Sequence, residues 1–216
     1  RLMELLAEYA PGLLFEPHSN YRYSNTGYAV LASVIEKASG KRYDEFLSER
    51  IFSPLGMTST YVFNPKKGIP SDKRALGYNK RGRPVGDGYL NGVVGDKGIY
   101  STVEDMFKWD QGLYDEGLVK DETLAEAFRP SSHDSGAETD YGYGWRIVTL
   151  DNGDKIVFHT GWWGGYNSLF LRRLSDRSAI VVLSNRVNWS FCNIPHLLEM
   201  IGQPANRDGK VIDKKG

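Results

Sequence analysis

Apolar residues recur at intervals of three and four through the first part of the chain, which predicts helices. Leu2, Leu5, Leu6 and Tyr9 form one short stripe, stopped by Pro11-Gly12. Val30, Leu31, Val34, Ile35 and Ala38 share a face and predict a helix over Thr26–Ser39, with Gly40 as its C-terminal stop. Phe46, Leu47 and Ile51 predict another over Tyr43–Ile51, ended by Pro54-Leu55-Gly56-Met57. Ser101 or Thr102 caps a helix running to about Leu113, with Glu104 and Asp105 favourably placed in its first turn. Asp121–Phe128 reads as a further short helix.

From Gly142 the period changes to two. Tyr143–Leu150, Lys155–His159, Tyr166–Arg172 and Ser178–Ser184 read as strands, with Asp151-Asn152-Gly153-Asp154 as the first hairpin turn. This is an antiparallel meander, and an amphipathic helix over Ile194–Ile201 can cover one face of it. Residues 60–100 break both periods. Eight glycines there, with Pro65, Pro70 and Pro84, predict long loop or short irregular strand of the kind that often rims a site. The pattern is α+β, without βαβ units. It divides into a helical, loop-rich subdomain at 1–140 and a sheet-plus-helix subdomain at 141–216.

Composition narrows the function classes. Lys plus Arg and Asp plus Glu are 27 each, giving a formal net charge of 0, and no basic excess exists to hold nucleic acid. The longest apolar run, Ala179–Leu183, falls far short of the roughly 20 residues of a membrane span. Cys192 is the single cysteine, so an internal disulfide and a Cys-rich metal cluster are both excluded. His18, His133, His159 and His196 lack metal-ligand spacing, so no metal is expected. Glycine-rich nucleotide motifs are absent, and no cofactor is called for. His18, His133 and His196 read as turn, loop and helix-surface residues, and Cys192 as a small packing residue. Lys66-Lys67 and Lys80-Arg81-Gly82-Arg83 read as solvated loop charges, while Asp87 and Asp96 sit where they could rim a cleft.

Two stretches carry candidate chemistry. Tyr21-Arg22-Tyr23-Ser24-Asn25 directly precedes the strongest helix. On a structural reading Ser24 or Asn25 caps that helix and the tyrosines pack on its end. On a functional reading Tyr23 exchanges a proton with a bound nucleophile or leaving group, which, from a reference pKa of about 10, needs a nearby cation. His159-Thr160-Gly161 is followed by Trp162-Trp163-Gly164-Gly165-Tyr166. This is either a glycine-rich strand connection with aromatic packing or a strand edge that binds a peptide-like ligand. In the second case His159 gives hydrogen bonds or charge, and the tryptophans wall the cleft.

Taken in order, these stretches resemble the serine β-lactamase and penicillin-binding protein family, in its class C and D-alanyl-D-alanine carboxypeptidase branch. Pro11–Pro17, Tyr23–Tyr28, Phe52–Thr60, Gly98–Met106, Tyr143-Gly144-Trp145 and Asn185 all fit, over about residues 11–190. The resemblance implies a β-lactamase/transpeptidase-like fold and a serine hydrolase that forms an acyl-enzyme on D-alanyl peptides, β-lactams or small esters and amides. It implies Tyr23 as catalytic tyrosine, Asn25 as a substrate-amide contact, and His159-Thr160-Gly161 as the lysine-threonine-glycine triplet with histidine in the lysine place. It makes the Trp162 N–H one half of an oxyanion hole. The histidine favours peptidase or esterase action over strong lactam hydrolysis, and the family implies a periplasmic or secreted setting.

One family element is missing. No serine in the 216 residues is followed by lysine at the third position: Ser33…Lys37 is one too long and Ser71…Lys73 one too short. The chain is therefore expected to be an incomplete, C-terminal portion of the fold, inactive alone by this mechanism. Lacking a layer of several hundred Å² of apolar burial forfeits on the order of 10 kcal/mol. A segment supplying S-x-x-K, or self-association, is expected to cover that surface. The rival reading is a non-catalytic binding or scaffold protein that keeps only the cleft.

Overall fold

The computed structural model describes residues 2–65, 74–131, 140–150, 152–190 and 193–200. Its elements in chain order are α1 (Leu2–Tyr9), α2 (Asn25–Ser39), α3 (Tyr43–Leu47), β1 (Tyr61–Val62), β2 (Ile99–Tyr100), α4 (Val103–Gly112), α5 (Asp121–Ala127), β3 (Asp140–Tyr141), β4 (Arg146–Thr149), β5 (Lys155–Trp163), β6 (Tyr166–Arg173), β7 (Ala179–Ser184) and α6 (Ile194–Met200). His133, Cys192 and Lys66-Lys67 fall outside the described residues. The chain divides into two compact units, one of residues 1–75 with 87–112 and one of residues 76–86 with 113–216.

In the first unit, α2 begins where Ser24, in extended conformation, accepts the Gly27 N–H at 3.0 Å with its hydroxyl. It ends at Gly40, whose φ of 69° is the left-handed conformation that glycine adopts freely. Ala29 and Ala32 are its buried residues, while Leu31 and Val34 are more than half exposed. The predicted apolar face is thus only partly the buried one. The core gathers Ala32, Tyr43, Leu47, Phe52, Met57 and Val62, with Ile35, Val94 and Trp109 against it. The predicted 43–51 helix is α-helical only to Leu47, after which Ser48–Phe52 form a π-helical turn. Gly95 lies so close to α2 that a Cβ there meets the Tyr28 carbonyl at 2.4 Å.

A buried carboxylate ties α4 to the Gly56–Thr60 segment. Asp105 accepts the Ser59 N–H at 2.7 Å, the Thr60 hydroxyl at 2.9 Å and the Lys108 ammonium at 2.8 Å. Lys108 also donates to the Gly56 carbonyl at 2.6 Å. Thr102 caps α4 by accepting the Asp105 N–H at 3.2 Å, which decides between the two expected caps.

The second unit is a five-stranded antiparallel sheet in the order β3-β4-β5-β6-β7. Side chains alternate between its faces. Ile156, Phe158, Leu169 and Leu171 line one face beneath Ile194 and Leu197 of α6, as the amphipathic helix predicts. Ile147 and Val157 line the other face with Phe128 from the end of α5. Buried Arg172 stacks there over the Tyr114 ring, 4.5 Å from its centroid. The β5–β6 turn is Gly164-Gly165, with φ of 56° and 88°, the two left-handed positions of a tight hairpin. Segment 76–86 is sewn to this end: Tyr78 N–H donates to the Asn185 carbonyl at 2.7 Å, and the Asn185 side chain donates to the Leu76 carbonyl at 2.9 Å.

Two departures from the predicted meander shape the site. The expected 143–150 strand starts only at Arg146, because residues 142–145 make a turn that leads back to the unpredicted strand β3. In contrast, β5 runs past its expected end at His159 to Trp163.

The Asp105 knot sets a stability prediction. Burial by itself raises this carboxyl, but bonds from Lys108, Thr60 and Ser59 outweigh it and hold the group below its ordinary range. A carboxyl depressed on folding stabilises fully above its unfolded value of about 3.9, and loses that stabilisation as pH falls through the folded value. Asp105→Asn is expected to cost about 2–3 kcal/mol at pH 7 in urea unfolding, and less at pH 3. An equal loss at both pH values contradicts this.

Candidate active site

The site is built around the end of β5. Over Lys155–Phe158 this strand pairs with both neighbours, β4 and β6. From His159 to Trp163 it pairs, among the described residues, with β6 alone. The cause is local sequence. In Tyr141-Gly142-Tyr143-Gly144-Trp145, Gly144 takes a φ of 80° and the Gly142 N–H closes on the Trp145 carbonyl at 2.8 Å. The turn is pinned to the end of α5: Tyr143 N–H donates to the Ala127 carbonyl at 3.0 Å, and a Cβ on Gly142 would stand 2.1 Å from that oxygen. So β4 cannot continue alongside β5.

The register shows which backbone groups face the open side. Leu150 N–H donates to the Asp154 carbonyl at 2.8 Å, toward β4, and Leu174 N–H donates to the Lys155 carbonyl at 3.1 Å, toward β6. Successive residues alternate sides in an antiparallel ladder. His159, Gly161 and Trp163 therefore face β6. Thr160 and Trp162 face the side where β4 has ended. The Trp162 N–H points to that open side.

His159 is half-buried, and both ring nitrogens are engaged. Nδ1 lies 2.7 Å from the Thr160 carbonyl, which can only accept, so Nδ1 carries hydrogen. Nε2 lies 3.0 Å from the Tyr141 hydroxyl, and the two rings meet edge to face at 5.9 Å. Burial pushes the imidazole below its ordinary pKa. The Thr160 bond opposes this shift and the nearby Arg146 charge adds to it. Gly161 sits over Ser168, whose hydroxyl would be 2.3 Å from a Cβ. Trp162 is 57% exposed and meets Trp189, 39% exposed, in a T-shaped contact at 6.3 Å. Asn188 beside Trp189 is anchored by donating its N–H to buried Asn167 at 2.9 Å.

The first unit places Tyr23 and Asn25 on either side of the capping Ser24 at the start of α2, with Tyr23 45% exposed. Ser24 is thus occupied in capping. Among the other weighed residues, His18 takes a left-handed φ of 64° in its turn, and His196 lies on the surface of α6 near Glu199. Asp87 pairs with Arg74, and Asp96, itself buried, with Lys97. No cluster of metal-binding side chains occurs among the described residues. No described helix is long and apolar enough to cross a membrane. A shallow cleft of about 300 Å³ between α5, Lys155 and Leu174 lies at the opposite end of β5. Sequence reasoning missed Tyr141 and Trp189. Tyr141 was legible only as the residue ahead of the Gly-Tyr-Gly-Trp turn.

The beta-lactamase family pattern matches residues 3–198, and the chain belongs to that family of serine hydrolases. It is 35% identical over 185 residues to penicillin-binding protein 4* of Bacillus subtilis, covering 80% of this chain and 41% of that one. It is 24% identical over 181 residues to a D-aminopeptidase of Gluconobacter oxydans, covering 82% of this chain and 33% of the relative. The chain therefore spans less than half the length of these relatives. Among solved structures, the octameric penicillin-binding protein homologue of Pyrococcus abyssi superposes with a TM-score of 0.78 at 28% identity, over 96% of this chain and 49% of that one. The D-amino acid amidase of Ochrobactrum anthropi, solved with D-phenylalanine, gives 0.71 at 25% identity, over 93% and 67%. The fold is the β-lactamase/transpeptidase-like one.

The histidine environment gives a pH prediction. Because folding lowers the His159 pKa, its neutral form stabilises the fold above about 6.5, and that contribution is lost as pH falls below this value. A ¹H NMR titration of His159 should show a midpoint below 6.5. A midpoint at or above 6.5 contradicts the burial described.

Proposed function

We propose that this chain supplies the proton-transfer group, the substrate edge and one oxyanion donor of a serine hydrolase. It acts through an acyl-enzyme on D-alanyl peptides, β-lactams or small esters and amides. The observation that carries this reading is the open end of β5, where Thr160 and Trp162 turn their backbone groups outward beside a glycine. The relation to a penicillin-binding protein, a D-aminopeptidase and a D-amino acid amidase supports D-configured amide substrates.

In this mechanism a serine hydroxyl attacks the substrate carbonyl. Tyr23 takes the hydroxyl proton and returns it to the leaving group. The negative charge that develops on the carbonyl oxygen is met by the Trp162 N–H. Asn25 and Thr160 hold the substrate's amide and chain direction, and water then releases the acyl group. His159, with both nitrogens spent, serves by hydrogen bonding rather than as a cation. Trp162 and Trp189 form an apolar wall that suits esters and apolar acyl groups.

The serine and its lysine are not among these 216 residues. The reading assigns them to a segment acting together with this chain, and the 216 residues alone do not form the acyl-enzyme. That segment, or a second copy of the chain, covers apolar residues such as Leu31 and Val34.

Tyr23→Phe, in the protein containing both this chain and an S-x-x-K segment, is expected to slow acylation by a fluorescent penicillin or a p-nitrophenyl ester about 10²-fold. An unchanged rate removes Tyr23 from the mechanism. The 216-residue chain incubated with the same penicillin is expected to carry no label on a denaturing gel. A labelled serine on it overturns the division of labour.

A further inference from the structure

We propose that Trp162 and Trp189 form an aromatic-ring subsite, held in shape by buried Asn167, that selects substrates carrying an aromatic ring next to the cleaved bond. The inference rests on the hydrolase reading above and deepens it by naming the substrate group that this corner takes.

Of the five tryptophans in the chain, Trp162 and Trp189 are the exposed ones, and they meet each other. Single exposed apolar residues are ordinary on a protein surface, whereas two large rings brought together there mark a contact site. Their centroids are 6.3 Å apart and their planes stand at 69°. The two planes meet as the walls of a corner. A third ring entering it lies offset against one indole and turns its edge to the other, the two arrangements that aromatic pairs prefer. An alkyl chain in the same place gains only buried area.

The segment that carries Trp189 is fastened on both sides of it. The Arg186 guanidinium donates to the Lys80 carbonyl at 3.0 Å, and the Val187 N–H donates to the Tyr78 carbonyl at 2.9 Å. The Asn188 N–H donates to Asn167 Oδ1 at 2.9 Å. Asn188 Oδ1 in turn accepts the Ser190 N–H at 3.0 Å and the Ser190 hydroxyl at 2.7 Å. Trp189 stands between these anchors with its ring partly in water.

Asn167 is the unusual anchor. On β6 it lies directly opposite Trp162 of β5, so both side chains leave the same face of the sheet. It is only 1% exposed, in the row that continues through Leu169 and Leu171. Its amide has one orientation, because a flip sets its NH2 group against the Asn188 N–H. Held this way, Nδ2 has no partner among the described residues. A buried donor left unmet costs stability that a leucine in this row would not. The fold keeps the amide nonetheless, and what the amide holds is the Trp189 segment beside Trp162.

Position ties the corner to the reaction. Trp162 carries one of the two rings and also the N–H that points to the open side of β5. A carbonyl held by that N–H has its substituents within a side chain's length of the indole.

The protein containing both this chain and an S-x-x-K segment should be assayed on ethyl acetate, ethyl phenylacetate and benzyl acetate. These carry no ring, a ring on the acyl side and a ring on the alcohol side. The wild type is expected to favour one aromatic ester over ethyl acetate about tenfold in kcat/KM, and the favoured ester gives the side that the corner serves. Trp189→Phe should keep most of that ratio, while Trp189→Leu should lower it about threefold to tenfold. No aromatic preference in the wild type, or one that survives W189L, overturns the proposal. Asn167→Ala should lower the ratio as W189L does and abolish the exciton couplet of the tryptophan pair in circular dichroism, although both rings remain. Couplet and preference both retained in N167A contradict the role given to Asn167. If the wild type hydrolyses none of the three esters, the hydrolase reading fails, and saturation-transfer NMR with benzyl alcohol decides alone. Transfer to the benzyl ring that W189L abolishes supports the subsite; no transfer in the wild type overturns it.

Discussion

Everything at the candidate site depends on one strand being paired on one side only. Among the described residues, β5 has two partners for four residues and one partner for the next five. The backbone at Thr160 and Trp162 is turned outward by that change, without distortion of the strand itself. Such an edge is ordinarily an aggregation hazard. Here it is short, begins next to a pinned turn, and is flanked by a half-buried histidine and two tryptophans. The turn that ends β4 is itself forced by packing: Gly142 touches the end of α5 where no side chain fits. A glycine remote from the edge thus determines whether the edge exists.

The chemistry of the edge follows from what replaces a charge. Where the family resemblance implies lysine, His159 stands. A lysine offers three donors and a fixed charge; this imidazole offers one donor to Thr160 and takes one bond from Tyr141. Burial and Arg146 both favour the neutral ring. His159 thus forms a relay of hydrogen bonds that ends on a backbone carbonyl. In the other unit a parallel economy operates. Ser24 is spent on capping α2, and the cap holds Tyr23 and Asn25 on either side of the helix entrance.

Much of this was legible in the sequence, and for identifiable reasons. The short helices, the capping at Ser24, the Gly40 stop and the α6 cover follow from local rules that act within a few residues. So do β6 and β7, whose alternation is uninterrupted. The limits of β4 and β5 were not legible. The Gly142–Trp145 turn is set by contact with Ala127, far away in sequence, and a strand-like period continues through it. Leu31 and Val34 fit the helical stripe, yet Ala29 and Ala32 are buried instead, and the close approach of Gly95 leaves room only for a small residue at Ala32. The ordered motifs singled out Tyr23, Asn25 and the His-Thr-Gly-Trp run as candidates. Tyr141 and Trp189 gave no comparable signal, since their places beside His159 and Trp162 arise only from sheet register and loop anchoring.

The central claim is the open edge, and amide hydrogen exchange along β5 tests it most directly. Residues facing β6 should be protected at His159, Gly161 and Trp163, while Thr160 and Trp162 exchange markedly faster. Phe158, facing β4, should again be slow. That alternation, read residue by residue by NMR, is what one-sided pairing requires. Uniform protection from Phe158 to Trp163 would contradict it, because the Trp162 N–H would then already be bound within the fold and unable to meet an oxyanion.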